Sequence, residues 1–198
     1  MTLDKIQTKT LIRVVDDDED LRDASEMMLS YAGWRVKTYP DARSFLIHDA
    51  PSEPGCVILD INMPGMSGTE LQVEMNARGY DLPVIVLTGH ATVDIAVATF
   101  RAGAMDFLRK PVEDSVLLAA IQSAATDSLR RQAGLPDEKE LALRVRQLSE
   151  REFDVFRLTK DGMSASDIAD RLGISVRTVY EHRTVVYRKL GCKNFSDL

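Results

Sequence analysis

The chain has 198 residues, of which 44% are hydrophobic and 28% are charged, and this composition excludes a disordered or low-complexity protein. No apolar run approaches the roughly 18 residues that span a bilayer, and the N-terminal stretch MTLDKIQTKT lacks the hydrophobic segment of a signal peptide. The two cysteines lie far apart, which argues against a disulfide framework. We therefore expect a cytoplasmic protein with one large or two small domains, and no membrane partner.

The net charge of −6 is unevenly distributed along the chain. Residues 149 to 198 contain nine Lys and Arg against eight Asp and Glu, a net of +1, which leaves −7 for residues 1 to 148. Within the last part, residues 177 to 193 carry five cations and one acid, a local charge of +4. A basic patch of this kind is able to bind a nucleic-acid phosphate backbone.

Up to about residue 125, short β-branched runs alternate with longer helical patterns. Strands are predicted at residues 11–15, 35–38, 56–59, 83–87 and 105–108, and helices at residues 20–32, 41–49, 67–77, 91–102 and 113–130. A capping box at Ser67 and terminating glycines at Gly33 and Gly103 mark three helix boundaries. Five repeats of strand and helix predict a parallel sheet covered by helices on both faces.

A change in composition divides the chain. The segment RRQAGLPDEKE at residues 130–140 is charged and contains Gly and Pro, and the stretch that follows it to residue 147 is predicted to be a solvated helical linker. Three further helical segments begin at a capping box at Ser149 and at caps at Ser164 and Ser175. We predict an α/β domain at residues 1–127, a linker at 128–147 and a smaller all-α domain at 148–198.

Polar side chains follow the strands at one edge of the predicted sheet, where parallel α/β proteins bind ligands. They are Asp16 and Asp17 after the first strand, Asp60 after the third, Thr88 after the fourth and Lys110 after the fifth. Three carboxylates suit a hard cation such as Mg²⁺, which prefers oxygen ligands. Asp60 is then able to attack phosphorus, while the cation, Thr88 and Lys110 neutralise the phosphoryl oxygens. Residues 18–20 are expected to cap or begin the first helix and to face water.

The motifs VVDDDED, ILDINMPGMSG, VLTGHA and FLRKP together resemble the receiver domain of two-component response regulators, over residues 10 to 125. This resemblance implies a flavodoxin-like, doubly wound sheet of five parallel strands in the order 2-1-3-4-5. It also implies that a histidine kinase donates phosphate to Asp60, the phosphoacceptor. The implied ligands of Mg²⁺ (or Mn²⁺) are Asp16, Asp17, Asp60 and the backbone carbonyl of Asn62, and the implied phosphoryl contacts and switch residues are Thr88, Lys110 and Phe107. A cis peptide bond between Lys110 and Pro111 is also implied.

Phosphatases of the haloacid dehalogenase type are an alternative, because they also use a Mg²⁺-bound nucleophilic Asp on a parallel sheet. These enzymes need a second Asp, two residues after the nucleophile, as a general acid. The corresponding residue here is Asn62, which cannot supply a proton. We therefore expect a phosphoacceptor protein and not a metabolic enzyme.

The stretch SASDIADRLGISVRTVYEHRTVVYRKLG predicts a helix, a tight turn at Gly173 and a longer helix. Together with LSEREFDVF it resembles the LuxR-like helix-turn-helix domain of the NarL/FixJ class of response regulators, over residues 148–198. The resemblance implies that the longer helix enters the major groove of DNA while basic residues hold phosphates. The candidate DNA contacts are Arg177, Thr178, Tyr180, Glu181, Arg183, Thr184, Arg188, Lys189 and Lys193.

Two features depart from the pattern of such domains. Glu181 would repel phosphate, although a carboxylate is also able to accept from the amino group of cytosine and so to specify a base. Related domains usually continue into a further helix beyond the position of Leu198, so we do not expect dimerisation through that helix and we expect modest DNA affinity.

The sequence therefore predicts a DNA-binding response regulator in which phosphorylation of Asp60 shifts the receiver between two conformations. This shift is expected to promote homodimerisation of the receiver, to release the helix-turn-helix domain, or to do both, and a dimer would bring two recognition helices to promoter half-sites. The alternative is a receiver whose C-terminal module binds a protein partner rather than DNA.

Overall fold

The computed structural model describes residues 2–89, 92–136 and 138–192 of the chain. The chain splits into two compact units, Met1–Gln132 and Ala133–Leu198. The predicted domain limits, at 1–127, 128–147 and 148–198, stay predictions. Among the described residues, no helix is both long enough and apolar enough to cross a membrane.

The first unit is an α/β fold with one parallel sheet. Its elements are α1 (Leu3–Lys9), β1 (Leu11–Val15), α2 (Glu19–Tyr31), β2 (Arg35–Tyr39), α3 (Ala42–His48), β3 (Gly55–Leu59), α4 (Gly68–Ala77), β4 (Val84–Thr88), α5 (Val93–Arg101), β5 (Asp106–Arg109) and α6 (Asp114–Gln132). The strands lie in the order β2-β1-β3-β4-β5 and pair in parallel, which confirms the predicted fold. Each strand end lies within one residue of its predicted position, whereas α1 was not predicted.

Two hydrophobic cores lie on the two faces of this sheet. Successive side chains of β3 enter different cores, because successive residues of a strand point to opposite faces of the sheet. Val57 and Leu59 pack in one core with residues of α3 and α4, whereas Ile58 packs in the other with residues of α2 and α6. All five residues of β1, of β3 and of β4 are buried, which explains why these strands are almost continuously apolar.

The start of α4 packs closely against the chain that follows β3. The capping box is confirmed, because the Ser67 side chain accepts from the amide of Glu70 and the Glu70 carboxylate accepts from the amide of Ser67. A Cβ atom at Gly68 would collide with the backbone carbonyl of Asp60. The motif therefore needs a glycine at this position so that α4 begins beside Asp60.

A buried arginine lies in β1. The side chains of Arg13 and Asp49 are both 0% exposed, and the Arg13 Nε lies 2.7 Å from Asp49 Oδ1. Tyr39 donates its hydroxyl to the same oxygen at 2.7 Å, and burial together with the Asp49 hydrogen bond raises the pKa of Tyr39. Arg13 also donates to the carbonyls of Ala50 and Glu53, so one guanidinium holds the loop between α3 and β3 against the sheet.

The second unit is helical, with α7 (Glu138–Val145), α8 (Glu150–Lys160), α9 (Ala165–Leu172) and α10 (Val176–Leu190). The predicted capping box at Ser149 and the caps at Ser164 and Ser175 are confirmed. Helix α9 ends at Gly173, which has φ +66° and supplies the left-handed conformation of the predicted turn. Helix α10 packs against α8 and α9, which is the arrangement expected of a helix-turn-helix module.

Helix α7 differs from the solvated linker that its charge indicated. Leu141 and Val145 pack against a buried cluster of the same unit that includes Phe156, Val186 and Leu190. Leu141 and Val145 are four residues apart and therefore lie on one face of the helix. Two apolar residues on one face are enough to anchor α7 even though most of its other residues are charged.

Candidate functional site

Three carboxylates meet at the carboxyl edge of the sheet. The amide of Asp60 donates to the carbonyl of Val15 at 2.9 Å, which brings the end of β3 beside the end of β1. Carboxylate oxygens of Asp16, Asp17 and Asp60 lie within 4.8 Å of one another. Asp16 and Asp60 are buried and Asp17 is exposed, so the cluster lies at the mouth of the core. The structure thus brings together the residues that the strand order predicted.

Lys110 joins two of these carboxylates. Its Nζ lies 2.6 Å from Asp16 Oδ2 and 3.1 Å from Asp60 Oδ1. Burial by itself lowers the pKa of Lys110, but the hydrogen bonds and charges of Asp16 and Asp60 outweigh burial, so the pKa is raised. Lys110 is therefore a cation at neutral pH. The peptide bond between Lys110 and Pro111 is cis.

Asn62 and Thr88 line the other side of Asp60. The backbone amide of Asn62 donates to Asp60 Oδ2 at 2.9 Å, and its side-chain Nδ2 lies 3.5 Å from the hydroxyl of Thr88. The two carboxylate oxygens of Asp60 thus have different partners, because Oδ1 contacts Lys110. Thr88 is fully buried. The predicted role of the Asn62 carbonyl as a metal ligand stays a prediction.

Phe107 lies on β5 and is half-buried. It packs at the edge of the core cluster that contains Val86, and its ring centroid lies 6.5 Å from that of Phe100 on α5. The ring therefore belongs to the surface formed by β5 and α5. Its predicted role as a switch stays a prediction.

Sequence reasoning missed Arg22 as a part of this site. Its Nη1 donates to the backbone carbonyl of Asp16 at 2.8 Å. The amide of Asp18 donates to the carboxylate of Asp16 at 3.0 Å, and the Asp18 side chain caps α2. Arg22 and Asp18 hold the loop that carries Asp16 and Asp17. The available signal was a long basic side chain near the start of α2, two residues after the acidic run.

The donor set fits a hard divalent cation. Mg²⁺ binds oxygen ligands, commonly one or two carboxylates together with water. Asp16, Asp17 and Asp60 offer carboxylate oxygens close enough to share one ion, and among the described residues no histidine or cysteine joins the cluster. Such a cation would relieve the repulsion between the three carboxylates, of which Lys110 contacts two.

A cavity of about 460 Å³ adjoins the acidic cluster. Its lining includes Asp60 and Lys110 together with apolar residues of α2 and α6, among them Leu21, Met28 and Leu117. The cavity thus joins the acidic cluster to an apolar part of α2 and α6.

In the second unit, one face of α10 is exposed. The exposed residues of this face are Val176, Arg177, Tyr180, Glu181, Thr184 and Arg188. Spacings of three and four residues place them along one side of the helix. Val179, Val186 and Leu190 are buried on the opposite side. We call this exposed side the outer face of α10.

Two of the predicted DNA contacts bond within their own unit. Arg183 donates to the hydroxyl of Thr159 at 3.2 Å and to the carbonyl of Met163 at 3.3 Å. Lys189 lies 2.6 Å from the carboxylate of Glu152, and this hydrogen bond is the main reason that the pKa of Glu152 is lowered. Arg183 and Lys189 therefore contribute to packing between helices.

The remaining predicted contacts differ in their placement. Tyr180, Thr184 and Arg188 lie on the outer face of α10, and Arg177 and Glu181 form an ion pair there at 3.1 Å. Thr178 is half-buried and its hydroxyl contacts that of Ser175 at 2.8 Å. Lys193 lies outside the described residues. The DNA contacts stay predictions.

Two family models match this chain. The response regulator receiver domain matches residues 12–122, and the luxR family of bacterial regulatory proteins matches residues 146–198. The transcriptional regulatory protein FixJ of Azorhizobium caulinodans is 36% identical to this chain, over 94% of the chain and 89% of FixJ. The chain belongs to the NarL/FixJ class of response regulators.

Other members of the NarL/FixJ class agree with this assignment. The C4-dicarboxylate transport transcriptional regulatory protein DctR of Rhodobacter capsulatus is 39% identical, over 94% of this chain and 96% of DctR. The solved structure of the response regulator StyR is 35% identical and has a TM-score of 0.61, over 96% of each chain. The chain is thus a transcriptional regulator and not a metabolic enzyme, as predicted, and the phosphatase alternative is set aside.

Membership of the NarL/FixJ class also gives the general chemistry of the two units. Receiver domains bind Mg²⁺ through an acidic pocket, which corresponds here to the cluster of Asp16, Asp17 and Asp60. A receiver domain implies a histidine kinase as partner, and a LuxR-type domain implies DNA binding.

Proposed function

We propose that Asp60 is the phosphoacceptor of this response regulator. The observation that carries the proposal is the convergence of Asp16, Asp17 and Asp60 within 4.8 Å, with Lys110 bonded to two of the three. The proposed ligands of Mg²⁺ (or Mn²⁺) are Asp16, Asp17, Asp60 and the backbone carbonyl of Asn62. When bound, this cation supplies positive charge that neutralises phosphoryl oxygens.

The residues around Asp60 account for the remaining requirements of phosphoryl transfer. The Asp60 carboxylate attacks the phosphorus atom of a phosphohistidine, and the histidine nitrogen leaves. Lys110 lies 3.1 Å from Asp60, so its ammonium is within reach of an oxygen of a phosphoryl group on Asp60. The Thr88 hydroxyl is linked to the same corner through Asn62 and is able to donate to a second oxygen. Both contacts would balance negative charge on the phosphoryl oxygens.

The proposed donor is a cognate histidine kinase that docks over α2 and α6. The cavity between these helices supports this, because its lining joins the apolar Leu21 and Met28 to Asp60. Leu21 is 41% exposed, which leaves an apolar contact available to a partner. Since the kinase and the DNA both need access to the protein, we propose a cytoplasmic location.

We further propose that phosphorylation promotes homodimerisation and binding to paired half-sites in promoter DNA. Helix α5 and its flanks expose Val93, Val97, Phe100 and Met105, which gives an apolar surface next to Phe107. Such an apolar surface favours association between two receivers. Phosphorylation would control this association because the two conformations of the receiver would differ in the shape of this surface. Two copies would then present two α10 helices to DNA.

Binding to DNA fragments in a series of salt concentrations tests this function. We expect the full chain to bind DNA more tightly with a small phosphodonor and Mg²⁺ than without them. The logarithm of the binding constant should fall linearly with the logarithm of the salt concentration, by about 0.9 for each phosphate contact. Complete absence of DNA binding by the phosphorylated chain would instead favour the alternative of a C-terminal module that binds a protein partner.

The same measurement separates Arg188, which is exposed on the outer face, from Lys189, which is ion-paired with Glu152. Replacement of Arg188 by Gln should reduce the magnitude of the salt slope by about 0.9, because one phosphate contact is lost. Replacement of Lys189 by Gln should leave the slope unchanged, since Lys189 is bonded to Glu152 and to the carbonyl of Gln147. A slope lowered equally by both variants would contradict this assignment.

A further inference from the structure

The outer face of α10 has few cations for a surface that binds DNA. Of the cationic residues between 177 and 192, Arg183 and Lys189 bond within the unit, so Arg177 and Arg188 are the two on the outer face. The Arg177 Nε is paired with Glu181 at 3.1 Å. Across the described part of α10, attraction to phosphate is therefore limited.

Glu181 contributes little to the stability of its unit. Its side chain is 61% exposed and that of Arg177 is 89% exposed, and exposed ion pairs of this kind contribute little to stability. A carboxylate at this position lowers the attraction to every DNA sequence. A residue that weakens binding to all DNA is best explained if it improves the discrimination between DNA sequences.

The chemistry of base edges decides which base suits Glu181. An ionised carboxylate only accepts hydrogen bonds. In the major groove, guanine presents two acceptors, and thymine presents an acceptor and a methyl group. Neither base therefore offers a hydrogen-bond donor to the carboxylate of Glu181. Adenine presents its amino donor beside its own N7 acceptor, whereas cytosine itself presents only the amino donor at its major-groove edge. Cytosine is therefore the base that a carboxylate accepts most favourably.

Two neighbours of Glu181 on the outer face are also able to contact base edges. Val176 is 41% exposed and Tyr180 is 56% exposed. The apolar Val176 gains nothing from a phosphate but is able to contact the thymine methyl group, whereas the Tyr180 hydroxyl is able to donate to a base edge or to a phosphate. The Nε of Arg177 is paired with Glu181, and the side chain of Arg177 is 89% exposed beside that carboxylate.

We propose that Glu181 is the residue that determines specificity for a cytosine in the DNA site of this protein. Its carboxylate accepts from the cytosine amino group in the major groove, and the ion pair with Arg177 orients it. This inference rests on the proposed DNA-binding function. With Glu181 in this role, the protein binds DNA with modest affinity and with a strong dependence on the DNA sequence.

Selection of bound fragments from a random DNA pool tests the inference. The full chain is treated with a small phosphodonor and Mg²⁺, and the selected site is then re-measured with each base pair replaced in turn. At one position the wild-type chain should prefer cytosine by at least about fivefold. Glu181→Gln should lose this preference and shift it towards adenine, because a glutamine amide both donates and accepts at the adenine edge. The variant should also bind non-specific DNA more tightly.

The control variant is Asp170→Asn. Asp170 is exposed on α9, so this variant removes one negative charge from the same unit without changing the outer face of α10. It should change the affinity for all sequences by a similar factor and leave the cytosine preference intact. If Glu181→Gln also acts uniformly on all sequences, the inference is overturned while the DNA-binding function stands. If the wild-type chain selects no DNA, both are overturned.

Discussion

Replacement of Asp60 by Asn is expected to abolish the incorporation of acid-labile phosphate from a small phosphodonor in the presence of Mg²⁺. An amide is not an anionic nucleophile, so the attack on phosphorus is lost, and its neutral oxygen attracts a divalent cation less strongly than a carboxylate does. The change keeps the shape of the side chain, and the amide of Asn62 is still able to donate to an oxygen at this position. The measurement is labelling of the full chain with a radioactive phosphodonor.

Asp20→Asn is the matched control for this experiment. Asp20 is exposed in the first turn of α2, in the same acidic run as Asp16 but outside the cluster of three carboxylates. This control should retain wild-type labelling. Fluorescence of Trp34, the single tryptophan of the chain, should show that both variants are folded. Full labelling of Asp60→Asn would show that another residue accepts the phosphate.

Replacement of Arg13 by Met is expected to lower the free energy of unfolding of the first unit by about 3–5 kcal/mol. The loss is large because both side chains of the ion pair are fully buried, so the variant leaves the Asp49 carboxylate in the core without its cation. One oxygen of Asp49 already lacks a hydrogen-bond partner, and the hydroxyl of Tyr39 would remain as the donor to the other. The carbonyls of Ala50 and Glu53 would also lose their donor.

Urea unfolding of the full chain, followed by the fluorescence of Trp34, measures this effect. Trp34 is 5% exposed in the first unit and therefore reports the unfolding of that unit. Arg35→Met is the matched control, because Arg35 lies on the neighbouring strand and pairs with Glu53 at 2.6 Å with half of its side chain exposed. This control should cost no more than about 1 kcal/mol. Equal losses in the two variants would contradict the role of the buried pair.

A double replacement separates the two causes of the expected loss. Arg13→Met combined with Asp49→Leu removes both charges, so no unpaired carboxylate stays buried. Replacing both members of a buried ion pair with apolar residues is often close to neutral. We therefore expect the double variant to be more stable than Arg13→Met alone, although the loop carbonyls still lack their donor.

The sequence by itself determined the sheet and the edge at which the site lies. Buried parallel strands are local apolar runs of about five residues, and the residue that follows each strand is known once the strand is recognised. The convergence of Asp16 and Asp60 was therefore predictable, although the two residues lie far apart in the chain. The same local signals marked Ser67 and Ser149 as helix caps, because a cap depends on residues within one turn.

Only the tertiary structure decided which partner each long side chain contacts. Lys110 bridges Asp16 and Asp60, and Arg13 pairs with Asp49 across 36 positions of sequence. In the second unit, Arg183 bonds to the hydroxyl of Thr159 and Lys189 to the carboxylate of Glu152, and neither partner was foreseen from the sequence. A side chain with several rotatable bonds reaches many places, and the choice among them depends on the distances between elements that are distant in sequence. The local sequence thus determined where the charges lie along each element, and the packing of the elements determined which groups those charges contact.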